Sequence, residues 1–137
     1  MTPRRKARLA AVQALFELDF QQRPPEEVAE ERLAGLNLTE ANREFARQLV
    51  QGVVHHREEI DARIGEAAPQ WPIEQIAHVD KNVLRLAIYE LMFEDSSVPA
   101  KVAITEAIEL ARLLGSGASS KFVNGVLGAV MATKEVK

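Results

Sequence analysis

Hydrophobic positions recur at a helical spacing along the whole chain. In the first segment Leu9, Val12 and Leu15 stand three residues apart, so they share one face of a predicted helix. The same spacing predicts a long helix from Glu40 to Ile64, which would measure about 37 Å at 1.5 Å per residue. No segment alternates polar and apolar residues for long enough to predict a strand. The pattern therefore predicts an all-α fold.

Proline and capping residues place the ends of the early helices. Pro24 and Pro25 end the first helix, since proline cannot continue one. Pro25 and the two acids behind it then begin a short helix that reaches about Leu33. Thr39 is a predicted N-cap for the long helix that follows. The first part of the chain is therefore expected to form a three-helix unit.

Two prolines, Pro69 and Pro72, flank the only tryptophan, Trp71, and mark the clearest internal boundary. We interpret this stretch as the connection between two small helical bundles, residues 1–68 and 73–137, packed into one globular domain. Trp71 is expected to be a structural plug rather than a platform for a ligand.

Three more helices are predicted in the second bundle. Asp80 is the expected cap of a helix from Lys81 to Phe93. Pro99 begins the next helix, and Gly115 ends it. The last helix is expected to run from about Ser119 to Ala132.

The charge distribution changes this picture of an ordinary helical protein. The 137 residues include 17 Lys+Arg and 20 Asp+Glu, a formal net charge of -3. Yet Arg4, Arg5, Lys6 and Arg8 stand within five positions, and no acid precedes Glu17. Cations this close repel one another and oppose the positive dipole of a helix N-terminus. A local basic patch on an acidic protein indicates one defined polyanionic partner.

Candidate catalytic and metal-binding chemistry is missing from the sequence. The chain has no Cys. His55 and His56 are adjacent, so on a helix they point about 100° apart and cannot chelate one metal ion. The stretch from Gly115 to Lys121 lacks the second glycine of a phosphate loop. We expect no cofactor, no metal and no enzymatic activity.

No apolar run reaches the roughly 20 residues that span a bilayer, and no signal peptide is evident, so a cytoplasmic protein is predicted.

Two further residues do not fit the predicted apolar stripes. Phe122 follows Lys121 and lies off the stripe of the last helix, so it either stacks on a base beside a phosphate-binding lysine or packs against a neighbouring helix. Arg85 is flanked by inward-facing leucines and is expected to point sideways to solvent. A salt bridge to Glu90 or Glu106 would be its ordinary explanation.

Four sequence blocks together resemble the NusB family of bacterial transcription antitermination factors. They follow one another in the family's order: RRKAR with VQALF at 4–16, VDK with LRLAIYEL at 79–91, VPAKVAITEAIELA at 98–111, and KFVNGVL at 121–127. The resemblance implies an all-α fold of two bundles and a non-enzymatic protein. It also implies binding to the boxA element of ribosomal RNA leaders together with NusE, a small-subunit ribosomal protein. This pair helps RNA polymerase to read through terminators.

The resemblance also assigns roles to particular residues. Many members have Tyr where this chain has Phe16, so stacking is retained here and a hydroxyl is lost. The implied partner surface for NusE comprises Glu74, Glu90 and Glu106. The implied RNA-binding residues are Arg4, Arg5, Lys6, Arg8, Gln13, Phe16, Arg85, Lys121, Phe122 and Asn124.

Two other functions remain as alternatives. The arginine-rich helix could dock on an acidic protein or form a homodimer, which would make the chain a protein–protein adaptor without RNA contact. A helix-turn-helix DNA-binding protein is disfavoured. Its recognition helix needs polar residues that contact bases, whereas here the first helix is followed by two prolines and then acids.

Overall fold

The fold is built from helices. The computed structural model describes residues 1–93 and 98–136, and no strand occurs among them. The predicted all-α class is confirmed. A short 3-10 helix spans Ile73–Gln75. The seven α-helices are α1 (Pro3–Leu18), α2 (Pro25–Leu33), α3 (Glu40–His55), α4 (Arg57–Ala67), α5 (His78–Met92), α6 (Ala100–Leu114) and α7 (Ser119–Val136).

The chain divides into two compact units, Met1–His55 and His56–Lys137. In the first unit α1, α2 and α3 pack on one another, around a cluster that includes Ala7, Ala10 and Leu33. Small alanines on α1 let the neighbouring helices approach closely. The connection predicted at 69–72 lies inside the second unit, between α4 and the 3-10 helix.

The long helix predicted from Glu40 to Ile64 is in fact two helices, α3 and α4. The break is at His56, whose backbone leaves the helical region (φ -105°, ψ 18°). Its imidazole stacks on Phe93 with ring centroids 4.0 Å apart. Glu58 and Glu59 occupy the first turn of α4, where acids favour a helix start. The prediction failed because apolar residues keep the helical spacing across the break.

The second unit is organised around α5, which packs against α4, α6 and α7. Every residue from Asp80 to Leu91 is buried.

Of the two predicted helix caps, Thr39 caps α3 as predicted: its Oγ1 accepts a hydrogen bond from the Asn42 N–H, at 3.2 Å. The predicted cap at Asp80 is wrong. The chain enters α5 earlier, at His78, and Asp80 becomes its third residue.

Gly115 ends α6, as predicted. A glycine is needed here because a side chain would have no room, and not because the backbone adopts a conformation that favours glycine. Its backbone is extended, with φ -98° and ψ -166°. A Cβ at this position would overlap the Oγ and Cβ of Ser119. Ser119 in turn accepts a hydrogen bond from the Ser116 N–H at 2.9 Å, which fixes the first turn of α7.

Candidate nucleic-acid interface

The cationic residues of α1 occupy its first two turns. Thr2 caps this helix, because its Oγ1 accepts a hydrogen bond from the Arg5 N–H at 3.2 Å, and Pro3 is the first helical residue. Arg4 is exposed, and Arg5 and Lys6 are half-buried. The cap therefore fixes the start of the helix that carries the predicted phosphate-binding side chains.

Two of the arginines stack on one aromatic ring. The guanidinium carbon of Arg4 lies 3.9 Å from the ring centroid of Phe45, and that of Arg8 lies 5.1 Å away. Phe45 is on α3 and packs against the core of the first unit. Arg8 is only 2% exposed, so the predicted direct contact of its side chain with RNA does not fit this arrangement. Arg4 remains exposed although its guanidinium lies over the ring.

Most carboxylates of the first unit pair with arginines outside the start of α1. Residues 1–55 contain eight Lys+Arg and eight Asp+Glu, and six of these acids pair with Arg23, Arg32 or Arg47. The Arg47 guanidinium donates to Glu30 and lowers the pKa of that carboxyl. No carboxylate of the described chain pairs with Arg4 or Lys6. The positive charge of these two side chains is therefore not neutralised within the first unit.

Aromatic surface lies further along the same helix. Phe16 is 37% exposed and Phe20, just beyond the end of α1, is 60% exposed. Their ring centroids are 5.2 Å apart. Gln13, one turn earlier, is half-buried. Sequence reasoning missed Phe20, although its spacing of four residues from Phe16 places both rings on one side of the chain.

Arg85 is not a solvent-facing residue, and that expectation is wrong. Its side chain is buried on α5 and donates two hydrogen bonds to the Asp61 carboxylate of α4, at 2.8 and 3.0 Å. It also donates to the amide oxygen of Asn82 at 3.1 Å. Arg85 is 3% exposed and bonded to both helices, so it positions α4 against α5 and is not open to a phosphate.

The second predicted RNA region lies at the start of α7. Lys121 and Asn124 are exposed, and Phe122 is half-buried. Phe122 contacts the edge of Trp71, with ring centroids 6.3 Å apart and planes at 83°. Trp71 is 51% exposed, so the prediction that it is a structural plug is wrong. Its backbone N–H donates to the Ala68 carbonyl and closes a turn that leaves half of the indole in solvent. These residues provide two aromatic rings next to a cation.

The three glutamates predicted to bind a partner protein lie in different environments. Glu74 is exposed and Glu106 is half-buried. Glu90 is 3% exposed on the buried helix α5, which leaves it no accessible surface for a partner.

Within residues 1–93 and 98–136, no three His, Cys, Asp or Glu side chains are placed to hold a metal ion. In the same residues, no helix has both the length and the apolar character needed to cross a membrane.

These features define a small all-α protein whose surface is suited to a polyanion. The NusB family model matches residues 5–132, and the chain belongs to the NusB family. A transcription antitermination protein NusB from Dehalococcoides mccartyi is 45% identical over 129 residues, covering 94% of this chain and 90% of that protein.

Solved structures agree with this assignment. T. maritima NusB is 39% identical and superposes with a TM-score of 0.86, covering 95% of this chain and 91% of the other. A chain in a crystal structure of antitermination factors NusB and NusE in complex with double-stranded RNA is 30% identical, with a TM-score of 0.86 and coverage of 97% and 98%. Members of this family are antitermination factors and not enzymes, which agrees with the sequence analysis.

Proposed function

We propose that this protein binds single-stranded RNA of the boxA type, together with NusE, and thereby helps RNA polymerase to transcribe through terminators. The observation that supports this most strongly is the start of α1, where Arg4 and Lys6 have no carboxylate partner in the described chain. Such cations neutralise phosphates and release counterions, so affinity falls with salt. The protein acts where RNA polymerase works, in the cytoplasm.

The exposed aromatic rings favour an unpaired strand over a duplex. Phe16, Phe20 and Trp71 are each more than one-third exposed. Stacking on a side chain requires bases that are not already paired and stacked. Gln13 and Asn124 supply amides that can contact base edges. A relative's complex contains double-stranded RNA, so the choice between the two forms needs a direct experiment.

NusE is the proposed protein partner. A solved relative is bound to NusE, and we assign the corresponding surface here to Glu74 and Glu106, the two accessible members of the predicted set. Few cations contact the RNA, so this protein alone binds it modestly. NusE adds contact area and lengthens the lifetime of the complex.

The experiment measures binding of a labelled boxA RNA, with and without NusE, against unlabelled single-stranded, duplex and scrambled competitors. We expect the single strand to compete best and NusE to tighten binding at least several-fold. Equal competition by the scrambled RNA under all conditions contradicts the proposal. A protein that forms homodimers and binds no RNA would favour the adaptor alternative.

A further inference from the structure

The segment that joins α4 to α5, residues 68–77, carries Trp71 but has little packing of its own. None of residues 69–75 is buried, and the 3-10 helix within the segment buries no side chain. Its buried side chains are those of Ala68 and Ile76, close to its two ends. The position of the Trp71 indole is therefore determined mainly by how α4 and α5 hold these ends.

A buried amide binds the first turn of α5, which has no side-chain cap. The Nδ2 of Asn82 donates to the His78 carbonyl at 2.8 Å, and Asn82 is 0% exposed. A polar side chain that is fully buried costs free energy unless its hydrogen-bond partners are in place. Asn82 therefore ties its own helix to the residue at which that helix begins.

The same amide connects this turn to α4 through Arg85. The guanidinium of Arg85 donates to the Asn82 Oδ1 at 3.1 Å and to both Asp61 carboxylate oxygens, at 2.8 and 3.0 Å. A bidentate pair of a planar guanidinium with a carboxylate fixes direction as well as distance. A continuous chain of hydrogen bonds thus runs from α4 to the His78 carbonyl, and it holds together the two helices between which Trp71 lies.

Stability alone is a weak explanation for a buried ion pair at this place. Such pairs can often be replaced by apolar side chains of similar volume with no loss of stability. An apolar contact between α4 and α5 would lack the fixed direction of the guanidinium hydrogen bonds. The arrangement of Asp61, Arg85 and Asn82 therefore favours a role in geometry.

We propose that Arg85 and Asn82 are positioning residues for RNA binding, which act by holding Trp71 in place for stacking. The inference rests on the proposed function, in which this exposed ring stacks on a base. A ring that is already held in place loses less conformational entropy on binding than a mobile one. The inference also gives a role to Arg85, which the family resemblance implies to be an RNA-binding residue but which is too deeply buried to contact a phosphate.

Trp71 is the only tryptophan of the chain, so its fluorescence reports on the segment in the absence of RNA. Time-resolved anisotropy and acrylamide quenching are measured for the wild type, Arg85→Lys and Asn82→Asp. Lysine keeps the charge but cannot reproduce the planar bidentate pair, and aspartate keeps the shape but places an oxygen against the His78 carbonyl. We expect the indole to gain rotational freedom in both variants, and either one suffices if the other fails to fold.

A matched control separates positioning from loss of stability. Leu110→Ala truncates a fully buried side chain on α6 and should destabilise the same unit. It touches none of the hydrogen bonds described above, so the rotational freedom of Trp71 and the affinity for RNA should stay at the wild-type level while the protein is folded.

A double-mutant cycle with Trp71→Ala tests whether the effect passes through the ring. Trp71→Ala should weaken binding of a labelled boxA RNA about tenfold, the size of one lost base–aromatic stack. Arg85→Lys and Asn82→Asp should each weaken it about threefold when Trp71 is present, and should have no further effect when it is replaced. The salt dependence of binding should stay unchanged throughout, because the phosphate contacts remain.

The outcomes separate this inference from the proposed function. If Arg85→Lys and Asn82→Asp weaken binding equally with and without Trp71, or leave the mobility of the indole unchanged, the inference is wrong. If Trp71→Ala binds RNA as the wild type does, the inference is also wrong, whereas the proposed function stands on the cations of α1. If the wild-type protein binds no RNA, the proposed function fails and the inference fails with it.

Discussion

Phe45 offers a test of how the arginines of α1 are held. The substitution Phe45→Leu removes the ring on which Arg4 and Arg8 stack but keeps an apolar side chain against the core. The ring lies 3.9 Å from one guanidinium and 5.1 Å from the other. The ring cannot bind a phosphate itself, so any change in the phosphate contacts must act through the arginines.

The structure sets the size of the effect on stability. A cation–π contact contributes about 0.5–1 kcal/mol when exposed, as at Arg4, and about 2 kcal/mol when desolvated, as at the 2% exposed Arg8. With some lost packing, the free energy of unfolding should fall by about 3 kcal/mol. For a chain of this length that corresponds to a decrease in Tm of roughly 10 °C.

The effect on RNA binding has a separate origin. Without the ring, Arg4 samples more rotamers, and ordering it on the RNA costs about 0.5–1.5 kcal/mol. We therefore expect boxA RNA to bind about threefold to tenfold more weakly, measured by fluorescence anisotropy at a temperature where the variant is fully folded.

Controls distinguish positioning from general destabilisation. Phe45→Tyr keeps the aromatic face and should retain the affinity of the wild type for RNA. Phe93→Leu removes a ring that stacks on His56 instead, and should reduce stability without changing RNA affinity. If Phe45→Leu loses stability but binds RNA as the wild type does, the ring is only structural and our reasoning about Arg4 is refuted.

Three further predictions concern the fold. Arg85→Leu should lower the free energy of unfolding by about 3 kcal/mol in urea denaturation, because a buried, bidentate ion pair loses one partner; a loss below about 1 kcal/mol would mean that the pair is not formed. Gly115→Ala should cost about 1–3 kcal/mol, since its Cβ overlaps the first turn of α7, whereas Gly117→Ala meets no atom within 4 Å and should cost far less. The folded state lowers the pKa of Glu30, so the stability that Arg47→Gln removes should be fully present above about pH 4.5 and shrink as the pH falls further; a constant difference across an acid titration would contradict this assignment.

The sequence predicted the helices better than their junctions. Proline, a Thr cap and the 3.6-residue period locate most elements, because these signals act within a few residues. The break at His56 was missed because it depends on a ring contact with Phe93, far away in sequence. The early start of α5 was missed because the 3-10 turn before it has no strong local signature.

The sequence predicted which residue types form the candidate site, but not which of those residues are exposed to solvent. The cluster of cations is visible in the sequence, whereas the burial of Arg8 depends on Phe45, which belongs to a different helix. Likewise, the burial of Arg85 depends on Asp61 of α4. Periodicity assigns a residue to a face of its own helix, but it does not say which distant side chain covers that face.

The central claim is that the cations at the start of α1 bind the phosphates of an RNA strand. Its most direct test is the salt dependence of boxA RNA binding for the wild type and for Arg4→Gln combined with Lys6→Gln. Lys101→Gln with Arg112→Gln is the control that removes the same charge from exposed positions on α6. The account predicts that the slope of log K against log salt becomes shallower by about 1.4 in the first pair, since a single strand contributes about 0.7 per phosphate contact, and stays unchanged in the control. Equal slopes in all three proteins would contradict it.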